Sequence, residues 1–498
     1  MKAYRAALVL TLVAGAPAAA QTNGFVLQCL SARTAGQGCV TRAQGSIPTT
    51  LFRDPAGITG FDRPALEVNA APFMPALTFS NRANTATVDG SRHVYPLVSA
   101  AYVAPRQGRF AWAVGVEPIG GFGADFRLRH ELLSGPEGTL LDYESFFAAA
   151  KFGPVVAWEL SHGFSVGASL SGTYAQIRDF RMPFSMAPAV AQGLAGIPQL
   201  DPAVYGPLFQ QFTEMTAYGD SKSYDGLTWT ADLGIAWRSP TGLAFSASWS
   251  PRRKIGLDGG TATIDMTAQF GQMLEAMVQS RALAYGESTG QAQAAVMQQL
   301  GAAGLDLQAG VLGHYAAATE LAFPMTIGAG VAVPVSEKLR LAGELEWREW
   351  SEAEDIMPFR LTKGDNANLN LMMNADPRNG DFTYPFPLLW QDALTVKVGG
   401  TYSLNETTAL RAGYMQGGNP VPDNTVFVAF PAISTRALSL GFSVNAAGLP
   451  LDVSYVRAFE HRLDGCTNGH RIGSEYVNSS TTMSQDVLTF GMLWRFQD

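Results

Sequence analysis

Charge is the scarcest commodity in this chain. Only 15% of its residues are Asp, Glu, Lys or Arg, against roughly a quarter in an ordinary globular protein. Lys and Arg total 34, Asp and Glu 42, and no basic run is present. The electrostatic footprint of a nucleic-acid binder is therefore missing. Beyond the N-terminus no uninterrupted apolar run reaches the roughly 18 residues of a membrane helix. The six histidines have no metal-ligand spacing and pair with no obvious serine or carboxylate, and no nucleotide site is visible, so no metal and no cofactor is expected. The three cysteines are an odd number. Cys29 and Cys39 are close enough to bridge, with Cys466 left over, and three incidental cysteines fit the spacing equally well.

Apolar residues and glycine fill the gap: 47% of the chain is hydrophobic, with 52 glycines. That is too apolar for a disordered polymer. Lys2 and Arg5 precede an apolar run from Ala6 to Ala16, and Ala18 and Ala20 stand as an A-x-A cleavage site. Residues 1–20 thus read as a secretory signal peptide, which exports the chain from what is most simply a Gram-negative cell.

From Ala65 to Phe496 apolar residues recur every second position. Leu227, Trp229, Ala231, Leu233, Ile235 and Trp237 alternate with Thr228, Thr230, Asp232, Gly234 and Ala236. Leu341, Leu345 and Trp347 alternate in the same way with Arg340, Glu344, Glu346 and Arg348. These are strands with one greasy face. A soluble sandwich alternates too, so connection length decides. Six tight turns, near 105–109, 161–163, 239–242, 334–338, 405–408 and 446–450, alternate with seven long connections. Strict short–long alternation with an even strand count predicts an all-β fold: a 14-stranded antiparallel transmembrane β-barrel spanning 65–498. Two of the long outer loops, 181–224 and 258–317, carry near-helical apolar spacing. Leu208 and Phe212 mark the first, and Phe270, Met273 and Met277 the second. Facing Met-rich helices make a deformable apolar groove. Residues 21–64 lack alternation and are too few for a core of their own, which makes them a segment for plugging the lumen.

Pro118 with Gly120, Gly121 and Gly123 interrupts the third strand. Proline cannot donate to a ladder, and a barrel wall survives only with its backbone paired, so a kink or gap is expected there. Gly163-Phe-Ser-Val-Gly167 matches a nucleophile elbow. It runs from a tight turn into a strand, however, where that motif needs a strand–turn–helix, and no enzyme activity is expected.

Several pieces appear in one order along the mature chain: Gly24-Phe25, Asp54-Pro55-Ala56, Glu117-Pro-Ile-Gly-Gly-Phe-Gly123, Trp390-Gln-Asp-Ala393, Leu410 to Tyr414 and Pro420 to Pro422. In this the chain resembles the FadL family of outer-membrane channels for long-chain fatty acids and other hydrophobic molecules, which includes aromatic-hydrocarbon channels. The resemblance implies an N-terminal hatch over 21–64 and a lateral gate formed by Asp54, Pro55 and Ala56 beside Pro118, Gly120, Gly121 and Gly123. It implies capture between the outer loops, a shift of the hatch around Phe25, and sideways exit of ligand into lipid. A carboxylate head group is then expected at Arg178 or Arg181, with Arg360, Lys363 and Arg378 as further basic candidates. The family's Asn is Asp54 here, and Cys29 and Cys39 depart from its pattern. The partners implied are a fatty acid or hydrocarbon, outer-membrane lipid and lipopolysaccharide, and the barrel assembly machinery, with the chain a monomer. Fatty acid is the favoured cargo, ahead of aromatic hydrocarbons or alkanes. A general porin and a surface binding protein are the remaining readings.

Overall fold

The structure is a computed structural model that describes residues 22–135, 138–185, 199–211, 216–306, 308–373, 375–376, 378–446 and 449–496. The expected signal peptide and Phe212 lie outside these residues.

Fourteen antiparallel strands close into a barrel: β1 (Ala65–Ser80), β2 (Tyr95–Val103), β3 (Phe110–Leu128), β4 (Leu141–Ser161), β5 (Phe164–Ser185), β6 (Thr216–Arg238), β7 (Ala244–Ser250), β8 (Met325–Pro334), β9 (Leu339–Glu349), β10 (Ala393–Ser403), β11 (Thr408–Gly417), β12 (Arg436–Ala446), β13 (Leu449–Asp464) and β14 (Ser480–Arg495). The seam is β14 on β1, running from Arg495 opposite Ala65 to Ser480 opposite Ser80. All six expected tight turns fall between consecutive strands. The apolar face points outward: Leu227, Trp229, Leu233 and Ile235 are about half exposed on the bare protein, as lipid-facing side chains must be.

The wall continues beyond the closed barrel. After Pro251 the chain resumes as Arg253–Asp265, which pairs with the outer half of β6 and with Leu312–Phe323. Ile356–Thr362 and Phe382–Pro387 add a hairpin to this outer sheet. The long connections are therefore partly strand, and the first helical loop is shorter than the alternation suggested, because β5 runs to Ser185 and β6 starts at Thr216. The expected helices are present: α1 (Pro202–Gln211), α2 (Thr267–Tyr285) and α3 (Thr289–Ala302). A left-handed Gly286 ends α2, and a capping box of Ser288 with Gln291 starts α3, both common helix boundaries. Leu208, Met273 and Met277 are buried in one continuous core with the outer lumen, and Phe270 packs against it. The greasy faces of the helices therefore close over the barrel mouth instead of forming an open groove.

Residues 22–64 lie inside the barrel and are almost wholly buried. Lumen-facing side chains hold their backbone. Glu67 accepts from Thr49 N at 3.0 Å and Glu344 from Thr41 N and Arg42 N at 2.7 and 2.8 Å. Ser246 accepts from Ala43 N and Ser439 from Gly38 N. The Arg42 guanidinium reaches Glu344 at 2.7 Å and Glu346 at 2.8 Å, and Arg33 reaches Asp452 at 2.8 Å. Ser165 of the apparent nucleophile motif faces the lumen and bonds Thr59. Cys29 and Cys39 are joined as a disulfide within the plug. Glycines on the inner face of the wall let its backbone in: a Cβ at Gly413 would stand 2.1 Å from Gly38 N, and one at Gly167 2.5 Å from Ala56 N.

Asp54 is buried, accepts from Ala43 N at 3.0 Å and leaves Oδ1 without a partner. Burial pushes its carboxyl up to about 6 from an ordinary 3.8, against the opposing pull of Arg238, Ser246 and Arg42.

Two outcomes follow for the plug. Gly413→Val should unseat it without breaking the wall, measured as increased sensitivity of cells to bulky antibiotics at unchanged outer-membrane abundance. Because the seated Asp54 holds its proton to higher pH than a solvated carboxyl, seating should strengthen as pH falls from about 6 to about 4. Asp54→Asn should remove that dependence and add up to about 3 kcal/mol at neutral pH, read as resistance of the plug to protease.

Candidate functional site

The third strand breaks where the sequence suggested. Inward-facing residues are Ala111, Ala113 and Glu117 before the break but Ala124, Phe126 and Leu128 after it. The parity flips at Ile119 and Gly120, which are both buried, and the register to β4 shifts between Pro118 and Gly120. One extra residue in the strand accounts for this. On the other side, β2 pairs with β3 only from Ala100–Val116 to Val103–Ala113. Past Val116 the two strands part. The segment leading into β2 closes on β3 again at the outer end, where Ser91 N donates to Asp125 O at 2.7 Å and His93 stands 2.9 Å from the Asp125 carboxylate. Between these two closures lies a window in the wall.

The window holds a cavity of about 540 Å³, bordered by Pro96 and Leu97 on one edge and by Pro118, Gly120 and Gly121 on the other. Its walls are mostly apolar, with Phe73, Tyr95, Phe122 and Phe146 among them. The plug fills the gap in the ladder from inside. Val26 pairs with Gly120, and Gly121 N donates to Phe25 O at 3.0 Å.

The Phe25 side chain is 1% exposed. Five rings enclose it: Phe147, Phe323, Trp350, Trp390 and Phe430, with centroids 5.0 to 6.0 Å away. Trp350 also donates its indole N–H to Asn23 at 2.9 Å. A relay of rings leads outward from this cage. Phe430 lies 6.1 Å from Phe427, which lies 5.2 Å from Phe386. Phe386 lines a small apolar cavity of about 50 Å³ with Phe180, Met182 and Phe359, roofed by the outer sheet. In the other direction Phe430 stacks on Phe122, centroids 3.6 Å apart, at the window. The apolar track thus runs from beneath the outer helices to the membrane, with Phe25 beside it.

The sequence-derived residues fall into separate places. Pro118, Gly120 and Gly121 border the window, while a Cβ at Gly123 would collide with the Tyr95 hydroxyl beside it. Asp54, Pro55 and Ala56 lie elsewhere in the lumen, where Pro55 and Ala56 press on Gly234 and Gly167 of β6 and β5. Arg178 is exposed on the outer face, stacked over Phe146 at 3.6 Å and lining the window. Arg181 stands 3.2 to 3.7 Å from Asp220, Glu144 and Asp179. Arg360 lies 4.0 Å from Glu320, and Arg378 is paired with Asp376. Among the described residues no cluster of His, Cys, Asp and Glu has the makings of a metal site. Sequence reasoning missed the ring cage and the inward fold of the outer loop over 418–435, which places Phe427 and Phe430. The run Val426-Phe-Val-Ala-Phe430, uncharged in an outer loop, is the signal that marks it.

The comparisons with known proteins agree with this geometry. The fold matches the crystal structure of the Pseudomonas putida toluene transporter TodX at a TM-score of 0.65, with 14% identity over 95% of this chain and 100% of that one. It matches a Pseudomonas aeruginosa FadL homologue with the same score, identity and coverage. The Ralstonia pickettii toluene transporter TbuX matches at 0.60, with 13% identity over 94% and 99% of the two chains. No match to the chain was found among curated proteins. A family model described as outer membrane protein transport protein (OMPP1/FadL/TodX) covers residues 11–496. The chain is therefore an outer-membrane β-barrel belonging to the OMPP1/FadL/TodX family of outer-membrane transport proteins.

Proposed function

We propose that this protein is a passive channel for uptake of long-chain fatty acids. The ligand is captured under the outer helices, follows the ring relay past Phe25, and leaves sideways between β2 and β3. The observation that carries the reading is the 540 Å³ window, whose β3 edge is paired by the plug through Phe25 and Val26. A lateral exit suits cargo that gains about 0.8 kcal/mol per CH₂ on leaving water. Such cargo would lose that gain in an aqueous pore. Transfer requires the plug strand Val26–Leu27 to withdraw from Gly120, which costs only a few backbone hydrogen bonds. The driving force is the ligand's own partition and gradient.

A second reading, uptake of monoaromatic hydrocarbons, is favoured by the five rings around Phe25, since flat rings pack well edge to face. The two differ in cargo, not in route.

Replacing Pro118 by Val together with Gly121 by Thr should regularise β3 and close the window. Uptake of radiolabelled oleate should then fall at least about tenfold, with outer-membrane abundance and heat-modifiable gel mobility unchanged. Unchanged uptake refutes the lateral route. Toluene uptake measured in the same cells separates the cargo readings. In proteoliposomes the purified protein should give no swelling with sugars, whereas a general porin admits them.

A further inference from the structure

Behind the kink, on the lumen side of Glu117 and Ile119, lies a second cavity that the route above does not use. It measures about 50 Å³, space for a few waters or one small polar group. Its lining is cationic, with Arg42, Arg53, Lys151, Arg253 and Arg348 facing Glu117 and Glu346. Most of these charges are already matched. Lys151 is ion-paired with Asp232, and Arg42 with Glu344 and Glu346.

Arg348 and Arg253 keep donors without partners. Arg348 is 2% exposed and touches Glu346 through Nη2 at 2.5 Å, while its Nε and Nη1 have no hydrogen-bond partner. Arg253 lies over the Phe323 ring at 4.6 Å with Nε unpartnered, and forms no ion pair among the described residues. Arg53 spends one nitrogen on Leu27 O at 2.8 Å. A buried guanidinium nitrogen without an acceptor is expensive, and three in one small chamber call for an anion. Val26, Phe52, Ile119 and Phe323 complete the walls, and Phe323 is also one of the rings around Phe25.

We infer that this chamber is the seat for the carboxylate head of an amphipathic ligand, held by Arg348 and Arg253 while its tail lies along the ring cage. The site rests on the channel reading and gives it a cargo preference: an acid over the alcohol or hydrocarbon of equal length. Its size admits the head group and excludes the tail, which fixes the ligand's polarity in the lumen. The plug borders the chamber through Val26 and Arg53, so an occupied seat bears on the same segment that completes β3.

The test uses the full-length protein in a nonionic detergent, titrated calorimetrically with decanoate and with decanol. Arg253→Gln, which breaks no ion pair, should weaken decanoate binding about tenfold, the cost of one charge-assisted bond, and leave decanol within about twofold. Arg348→Gln should do the same in whatever fraction passes the heat-modifiability check. Decanoate affinity unchanged in Arg253→Gln, or equal losses for acid and alcohol, overturns the inference. Inorganic phosphate distinguishes the source of the anion. Phosphate binding tighter than decanoate would make this a free-anion site and overturn the carboxylate assignment, whereas phosphate competing only weakly supports it. If neither decanoate nor decanol binds the unaltered protein, the channel reading itself fails. If decanol binds normally and decanoate ignores both arginines, only the head-group seat fails.

Discussion

A strand cannot leave its neighbour inside a bilayer unless something else takes its hydrogen bonds. That rule governs every other feature of this molecule. β2 and β3 separate beyond Val116, and the cost is met from within, by the backbone of Phe25 and Val26 on Gly120 and Gly121. The β3 edge is thus paired only while the plug is seated. In the proposed route, the piece that pairs the β3 edge is also the piece that must move for cargo to pass.

The same rule explains why the plug is otherwise fixed. Its middle and end, from Ser31 to Thr59, are bound to the wall by lumen carboxylates and hydroxyls and by two arginines, the partly buried Arg33 and the buried Arg42. Buried ion pairs contribute little net stability, but removing one partner strands the other, so such contacts specify position more than they add free energy. The lumen is accordingly charged, and among the described residues many of its ionic groups are matched to the plug or to one another, as Arg42 is to Glu344 and Glu346 and Lys151 to Asp232, whereas guanidinium nitrogens of Arg348 and Arg253 behind the kink are not.

Much of this was legible in the residue order. Alternation at Leu227–Trp237 gave the lipid face, the six tight turns gave the strand count, and Pro118 with its glycines marked the breach. The outer sheet was not legible, because the alternation in Arg253–Asp265, with Ile255 and Leu257 then Ala262 and Ile264 buried, slips at Leu257–Gly260. The ion cluster was half visible. Glu344, Glu346 and Arg348 share one face of β9, and Lys397 sits directly opposite Glu344 on β10, yet which plug residue meets them depends on a fold without periodicity. The two arginines suggested for a head group lie on the outer face or among carboxylates, because alternation tells inside from outside only once the bulge and the strand ends are placed.

The cystine at Cys29 and Cys39 has a mechanical corollary. It staples the chain just behind the segment that pairs with β3, which leaves three residues, four Cα–Cα steps, between Phe25 and Cys29. Fully stretched, those steps span about 14 Å. In the proposed route, a displaced Phe25 would therefore stay within that distance of the cystine.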